Sequence, residues 1–181
     1  ILFIYLFLGF ALFLGIYSAI RLDQISMNID QLGREQDVER GIVSEINFRF
    51  TITDTYAGHY LETQKQGNLL LFQQSFADLT TFLDSSRENF SSGSKKDLFA
   101  EVEAAIANYE TVFNNIEAQY RDAANPNSGD LRFYISQFNI TKNDVPEALN
   151  NLSLEVERNI SSHVSLSQKY IASTRLLLTL L

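Results

Sequence analysis

The sequence has no cysteine and no tryptophan. Without cysteine there is no disulfide framework, no thiolate zinc site and no thiol nucleophile. Histidine is scarce: His59 and His163 are too few for a His-rich metal site. Two prolines and eight glycines in 181 residues are few for a fold built from tight turns. Basic residues are in deficit. Fourteen Lys and Arg against 22 Asp and Glu leave a net charge of −8, the wrong sign for a nucleic-acid partner. Charge is missing altogether from both ends, because every charged residue lies between Arg21 and Arg175. What remains is a chain 45% hydrophobic and 20% charged, which belongs with folded single domains and not with disordered tails.

The uncharged start, Ile1 to Ile20, reads ILFIYLFLGFALFLGIYSAI. A helix of that length spans roughly 30 Å, the hydrocarbon thickness of a bilayer. A signal-peptide core is shorter, about 7–15 residues, and ends at a small-residue cleavage site. Here the run passes straight into a heptad pattern, so the expectation is a retained transmembrane helix over 1–20. The other end, Leu176 to Leu181, reads LLLTLL and is expected to be the start of a second, truncated span. With no Met at the start, the expectation is a piece of a longer protein whose cytoplasmic ends are cut. Residues 21–175 then lie on the extracytoplasmic, periplasmic side of a cell inner membrane.

The stretch between the ends reads as four helices. Apolar residues recur at Leu22, Ile25, Ile29 and Leu32, then at Val43, Ile46 and Phe50, the 3-4 spacing of a bundle seam. Gln66-Gly67-Asn68 is the next expected break. A second stripe follows at Leu69, Phe72, Phe76, Leu79 and Leu83, ended by Ser91-Ser92-Gly93-Ser94. Ser94 and Asp97 form a weak capping box. The third helix carries two adjacent rows, Leu98-Val102-Ala105-Tyr109-Val112-Ile116 and Phe99-Ile106-Phe113-Tyr120. Asn125 to Gly129 stops it. The spacing predicts a loop over 125–143, with a short helix at Leu131 to Ile135. Asp144 with Glu147 makes a better capping box, and Pro146 suits a first turn, so the fourth helix is expected to start there. It then runs through Leu149, Leu152, Val156 and Ile160 to Ile171. No strand-type alternation is sustained. The expected fold is all-α: an antiparallel up-down-up-down four-helix bundle continuous with flanking transmembrane helices.

Two stretches resemble a known family. GFALFLGIYSAIRLDQIS carries a Gly-Phe-containing span into an Arg-Leu and a polar-apolar heptad. YLETQKQGNLLLFQQSFADLTTFL is similar to the first turnaround of a sensor bundle. The arrangement resembles the sensor region of bacterial methyl-accepting chemotaxis receptors of the four-helix-bundle type, and the related helical sensors of histidine kinases and cyclases. The resemblance implies a homodimer that binds a small molecule outside the membrane and signals through the second span. A parallel pairing along the first helix is expected, because Phe48 and Ile52 lie off its seam. A structural tether without a ligand is the third reading. Catalysis and cofactors are not expected. No P-loop, GxSxG or HExxH occurs, and the carboxylate pairs Glu35/Glu39 and Glu101/Glu103 read as solvated helix surface.

Arginines in an acidic domain are the more telling candidates. Arg49, Thr53, Tyr56 and Tyr60 follow i, i+4, i+7 and i+11, one face of the first helix near its distal end. A guanidinium fork suits a carboxylate or an inorganic anion. The resemblance implies arginines from this part of the helix at a ligand site, and Arg132 in the expected loop would join them. The plainer alternative is ion pairing of Arg49 to Glu45 or Asp54. Lower down, Gln36, Glu39 and Arg40 form a polar layer that either sets register between helices or holds an anion. Gly33 and Gly41 either permit close helix approach or weaken the helix. His59 near the distal turn is a candidate for a ligand or pH role. Four Asn-X-Ser/Thr sequons, at Asn89, Asn139, Asn151 and Asn159, fit chance in a chain this rich in Asn, Ser and Thr.

Overall fold

The computed structural model describes the backbone of residues 2–91, 93–122 and 129–179, and the side chains of 33–91, 93–121, 131–158 and a scatter before 33. All regular structure among the described residues is helical. The order is α1 (Leu2–Thr63), α2 (Gln66–Ser86), one 3-10 turn (Arg87–Phe90), α3 (Gly93–Asp122) and α4 (Gly129–Thr179). Contacts divide the chain into two compact units, 39–156 and 1–38 with 157–181.

In the 39–156 unit, α1 buries Val43, Ile46, Phe50, Thr53, Ala57 and Tyr60. The steps alternate between three and four residues, which keeps one stripe of a 3.6-residue helix pointing inward. From α2 the whole expected stripe is buried, Leu69, Phe72, Phe76, Leu79 and Leu83. From α3 the two rows interleave: Phe99, Val102, Ile106, Tyr109, Val112, Phe113 and Ile116 are buried, and Leu98, Ala105 and Tyr120 pack at the margin.

Pairwise contacts give the helix directions. Glu39 meets Lys95, Phe50 meets Tyr109 and Tyr60 meets Tyr120, so α1 and α3 run the same way. Phe138 meets Tyr109 while Glu155 meets Ser94, so α4 runs against α3. Phe72 stacks on Phe113 at 3.8 Å, and Phe90, in the turn that follows α2, stacks on Phe99 at 4.8 Å, so α2 also runs against α3. Aromatic pairs of this kind add about 0.5–1.5 kcal/mol each beyond the area they bury.

Three expected boundaries move. The first break is at Gln64 and Lys65, not at Gln66-Gly67-Asn68. Gln64 takes a left-handed φ of 52°, and Lys65 is extended. Asn68 closes the turn instead of breaking it: its Nδ2 donates to Thr63 Oγ1 at 2.9 Å and to the His59 carbonyl. Ser94 does not cap α3. The helix begins one residue earlier at Gly93, which has a positive φ of 62°, and Ser94 Oγ donates to Glu155 at 2.5 Å. The largest correction concerns α4. It begins at Gly129, so residues 129–143 are helix, and Asp144, Pro146 and Glu147 lie inside it. Leu131, Phe138, Thr141, Val145, Ala148, Leu149, Leu152 and Val156 form one continuous buried stripe. A proline inside a helix costs about 3 kcal/mol. Burial of Leu131 and Phe138 alone returns about 1.5–3 kcal/mol each, so packing overrides the local start signal. Residues 125–128 of the expected loop lie outside the described residues.

The 1–38 and 157–181 unit is helical in its described backbone. Phe13 and Tyr17 stack at 6.4 Å, and Phe13, Ile16, Tyr17, Ile20 and Met27 are exposed. The side chains of Leu22, Ile25, Ile29 and Leu32, of His163, and of the Leu176 to Leu181 tail lie outside the described residues, as do most of those in 1–20. Among the described residues no helix is long and apolar enough to cross a membrane. A Cβ built on Gly33 or Gly41 meets nothing within 4 Å among the described residues.

Candidate functional site

The row Arg49, Thr53, Tyr56 and Tyr60 divides between core and surface. Thr53 and Tyr60 fall on the 3-4 seam and are buried. The Thr53 hydroxyl donates back to the Arg49 carbonyl at 2.9 Å. The Tyr60 ring packs on Phe113 at 5.7 Å and Tyr120 at 6.3 Å. Burial, reinforced by the nearby Glu117 carboxylate, raises its pKa. Arg49 and Tyr56 each stand one residue, about 100° of helix rotation, before a buried seam residue, and stay half-buried. Arg49 Nε donates to Glu45 Oε1 at 2.7 Å, and its guanidinium lies 4.8 Å from the Phe82 ring centre on α2. Its partner is therefore Glu45, not Asp54. The aromatic face and the carboxylate hold the fork in one orientation, with the side chain 34% exposed.

Arg132 is not brought to that place. Lys142 of α4 meets Asp54 of α1. Arg132 stands ten residues beyond Lys142, and Arg49 five residues from Asp54 in the opposite sense. At 1.5 Å per residue the two arginines are about 22 Å apart along the helices. Helix formation over 129–143 removes the loop that would have folded Arg132 inward; it is exposed on α4.

The polar layer also separates into parts. Gln36 is buried in the unit that contains residues 1–38. Glu39 is buried in the other unit, where Lys95 Nζ lies 2.5 Å from its Oε1. Its Oε2 is buried with no hydrogen-bond partner among the described residues. Arg40 is exposed. His59 is exposed, and its carbonyl accepts hydrogen bonds from Thr63 and Asn68.

A second polar cluster joins three helices. Tyr109 of α3 donates its hydroxyl to Asp54 Oδ1 at 3.0 Å, and Lys142 of α4 sits 2.7 Å from Oδ2. The Tyr109 ring lies edge-on to Phe50 at 5.1 Å and tilted against Phe138 at 4.8 Å. Burial first, and the Asp54 charge second, push the Tyr109 pKa far up, which keeps the phenol protonated as a donor. The sequence offered one signal for this cluster: Tyr109 sits inside an otherwise apolar row, and a buried tyrosine hydroxyl needs a partner.

Chemically, Arg49 beside Tyr56 offers a cation and a hydroxyl two helical turns apart on one partly open face. The interior clusters offer fixed hydrogen bonds between helices. Among the described residues no group of three or more His, Asp or Glu could hold a metal ion. No family model, no curated protein and no solved structure matches the chain.

Proposed function

We propose that the chain is the sensor region of a bacterial transmembrane receptor of the chemoreceptor kind. In this reading residues 39–156 are the core of an extracytoplasmic, up-down-up-down four-helix bundle. The bundle is continuous with membrane spans at 1–20 and at 176–181. Two copies pair in parallel along α1, and a small organic or inorganic anion binds near Arg49 and Tyr56.

One observation carries the reading. α1 is a single helix from Leu2 to Thr63, so an uncharged apolar run of membrane length and a buried seam belong to one helical segment of the chain. α4 is likewise one helix from Gly129 to Thr179. Rigid helices pass shifts of about 1–2 Å over long distances, which suits transmission from an outer domain to a bilayer. The dimer is supported by Phe48, a large apolar side chain 59% exposed on α1 beside Arg49.

A ligand-free tether is the second reading, favoured by the Glu45 carboxylate that already holds Arg49. The full chain in lipid nanodiscs separates the two by thermal shift against organic acids, amino acids and inorganic anions. A ligand at a hundredfold excess over Kd stabilises by about 2.7 kcal/mol. Arg49→Ala then weakens an anion by about 1–3 kcal/mol in calorimetry without unfolding the domain, the scale of a hydrogen bond to a charged group. No shift with any anion favours the tether. The membrane part is tested independently by flotation of the chain with vesicles after an alkaline wash. Release into the wash removes the receptor reading.

A further inference from the structure

Pro146 lies inside α4, between two polar anchors. Above it, Lys142 is held on Asp54 of α1, which also takes the Tyr109 hydroxyl from α3. Below it, Glu155 takes the Ser94 hydroxyl at the start of α3. Proline has no N–H, so the carbonyl four residues back, that of Lys142, has lost its helical donor. The missing bond and the upper anchor thus belong to the same residue. The polar side chains next to Lys142 bond elsewhere. The Thr141 hydroxyl donates to the Phe138 carbonyl at 3.2 Å, and Asn143 Nδ2 donates to the Asn139 carbonyl at 3.1 Å. Both reinforce the turn above. The packing supplies the counterweight, since Val145, Ala148 and Leu149 on either side of the proline are all buried.

We propose that Pro146 is a hinge in α4 and that the Asp54–Lys142 pair is the latch that holds its upper arm. With the pair closed, the arm from Leu131 to Val145 is fixed to α1 and α3. The arm below Pro146 is held in turn by Glu155 on Ser94 and by the buried Leu149, Leu152 and Val156, so the closed pair keeps both sides of the missing bond in place. Opening the pair frees the upper arm, and α4 bends at 142–146. The latch is openable because it is asymmetric. Asp54 is 17% exposed and pinned by Tyr109, whereas the Lys142 side chain is 47% exposed and ends a flexible stem. The hinge stands without any ligand, so failure of the sensor reading leaves it intact.

Hydrogen exchange of the full chain in lipid nanodiscs tests it, read by mass spectrometry of peptides over 139–150 and over 102–116 in α3. Amides of 143–150 are expected to exchange about tenfold faster than those of 102–116, the mark of a local opening. Pro146→Ala restores the donor and slows 143–150 about tenfold toward the α3 rate. Lys142→Met opens the latch and speeds 139–150 about tenfold while α3 stays unchanged, and it has little effect when Pro146→Ala is also present. Equal exchange of 143–150 in the natural chain and in Pro146→Ala overturns the hinge. Lys142→Met that speeds every helix alike, or acts equally with alanine at 146, overturns the latch.

Discussion

Asp54 and Glu39 are carboxylates on the same helix, and their surroundings differ in kind. Both oxygens of Asp54 have donors, Tyr109 from inside and Lys142 from outside. Glu39 has Lys95 on one oxygen, and its other oxygen is buried with no partner among the described residues. The cause is their place relative to the seam. Glu39 stands on the 3-4 repeat that continues through Val43 and Ile46, so its side chain points straight into the core and is 7% exposed. Asp54 stands one residue past the buried Thr53, about 100° round the helix. From there it reaches both the interior phenol and the outer lysine. A single step of rotation thus separates a satisfied carboxylate from a half-satisfied one.

Substitutions at Tyr109, Lys95, Glu39 and Glu110 break or sharpen that contrast. The largest effect is expected for Tyr109→Ala, which removes a ring packed on Phe50 and Phe138 together with the Asp54 donor. The loss is about 3–5 kcal/mol, as for other buried aromatics. Urea unfolding followed by circular dichroism measures it. Lys95→Met comes next. It strands the Glu39 charge in the core, which costs about 3 kcal/mol. The companion Glu39→Leu with Lys95→Met recovers most of that, because neither charge remains buried. If Lys95→Met costs less than 1 kcal/mol by the same assay, against the about 3 kcal/mol typical of a broken buried pair, the contrast between the two carboxylates fails.

Tyr109→Phe is the finer probe of the Asp54 side. It keeps the ring and removes one donor, for about 1–1.5 kcal/mol, since Lys142 still serves the carboxylate. The smallest effect belongs to Glu110 on α3. Burial holds its carboxyl above the usual glutamate range. The folded chain binds that proton more tightly than the unfolded one. Its contribution is therefore present below the ordinary glutamate pKa and is lost as pH rises through the raised value. Glu110→Gln is expected to stabilise the chain at pH 7 by less than about 1 kcal/mol, given its partial exposure. The gain should vanish in melts below the ordinary range. A gain that grows on acidification would contradict the sign.

The helices of the 39–156 unit were legible wherever their own stripes were apolar. Every residue of the Leu69 to Leu83 stripe is buried, and both rows of α3 are buried or packed at the margin. Where polar residues joined a stripe, the reading went astray. Thr141 sits on the buried face of α4 and Pro146 inside it, so the segment looked like a loop followed by a capped start. The candidate row on α1 was half legible. Arg49 and Tyr56 stayed half-buried beside the seam, while Thr53 and Tyr60 went into the core because the seam runs through them.

Local periodicity is a property of neighbours along the chain, so the sequence by itself determined that the packed unit is helical and which faces of α2 and α3 turn inward. Partners far apart along the chain were another matter. Tyr109 and Asp54 are 55 residues apart, and Lys95 and Glu39 are 56 apart. Which of them meet depends on how far one helix is displaced along another, and no spacing within a single helix records that displacement. The tertiary structure alone decided it, through the meshing of Phe50, Tyr109 and Phe138 and of Phe72 with Phe113, because close-packed aromatic rings admit one register and reject the next.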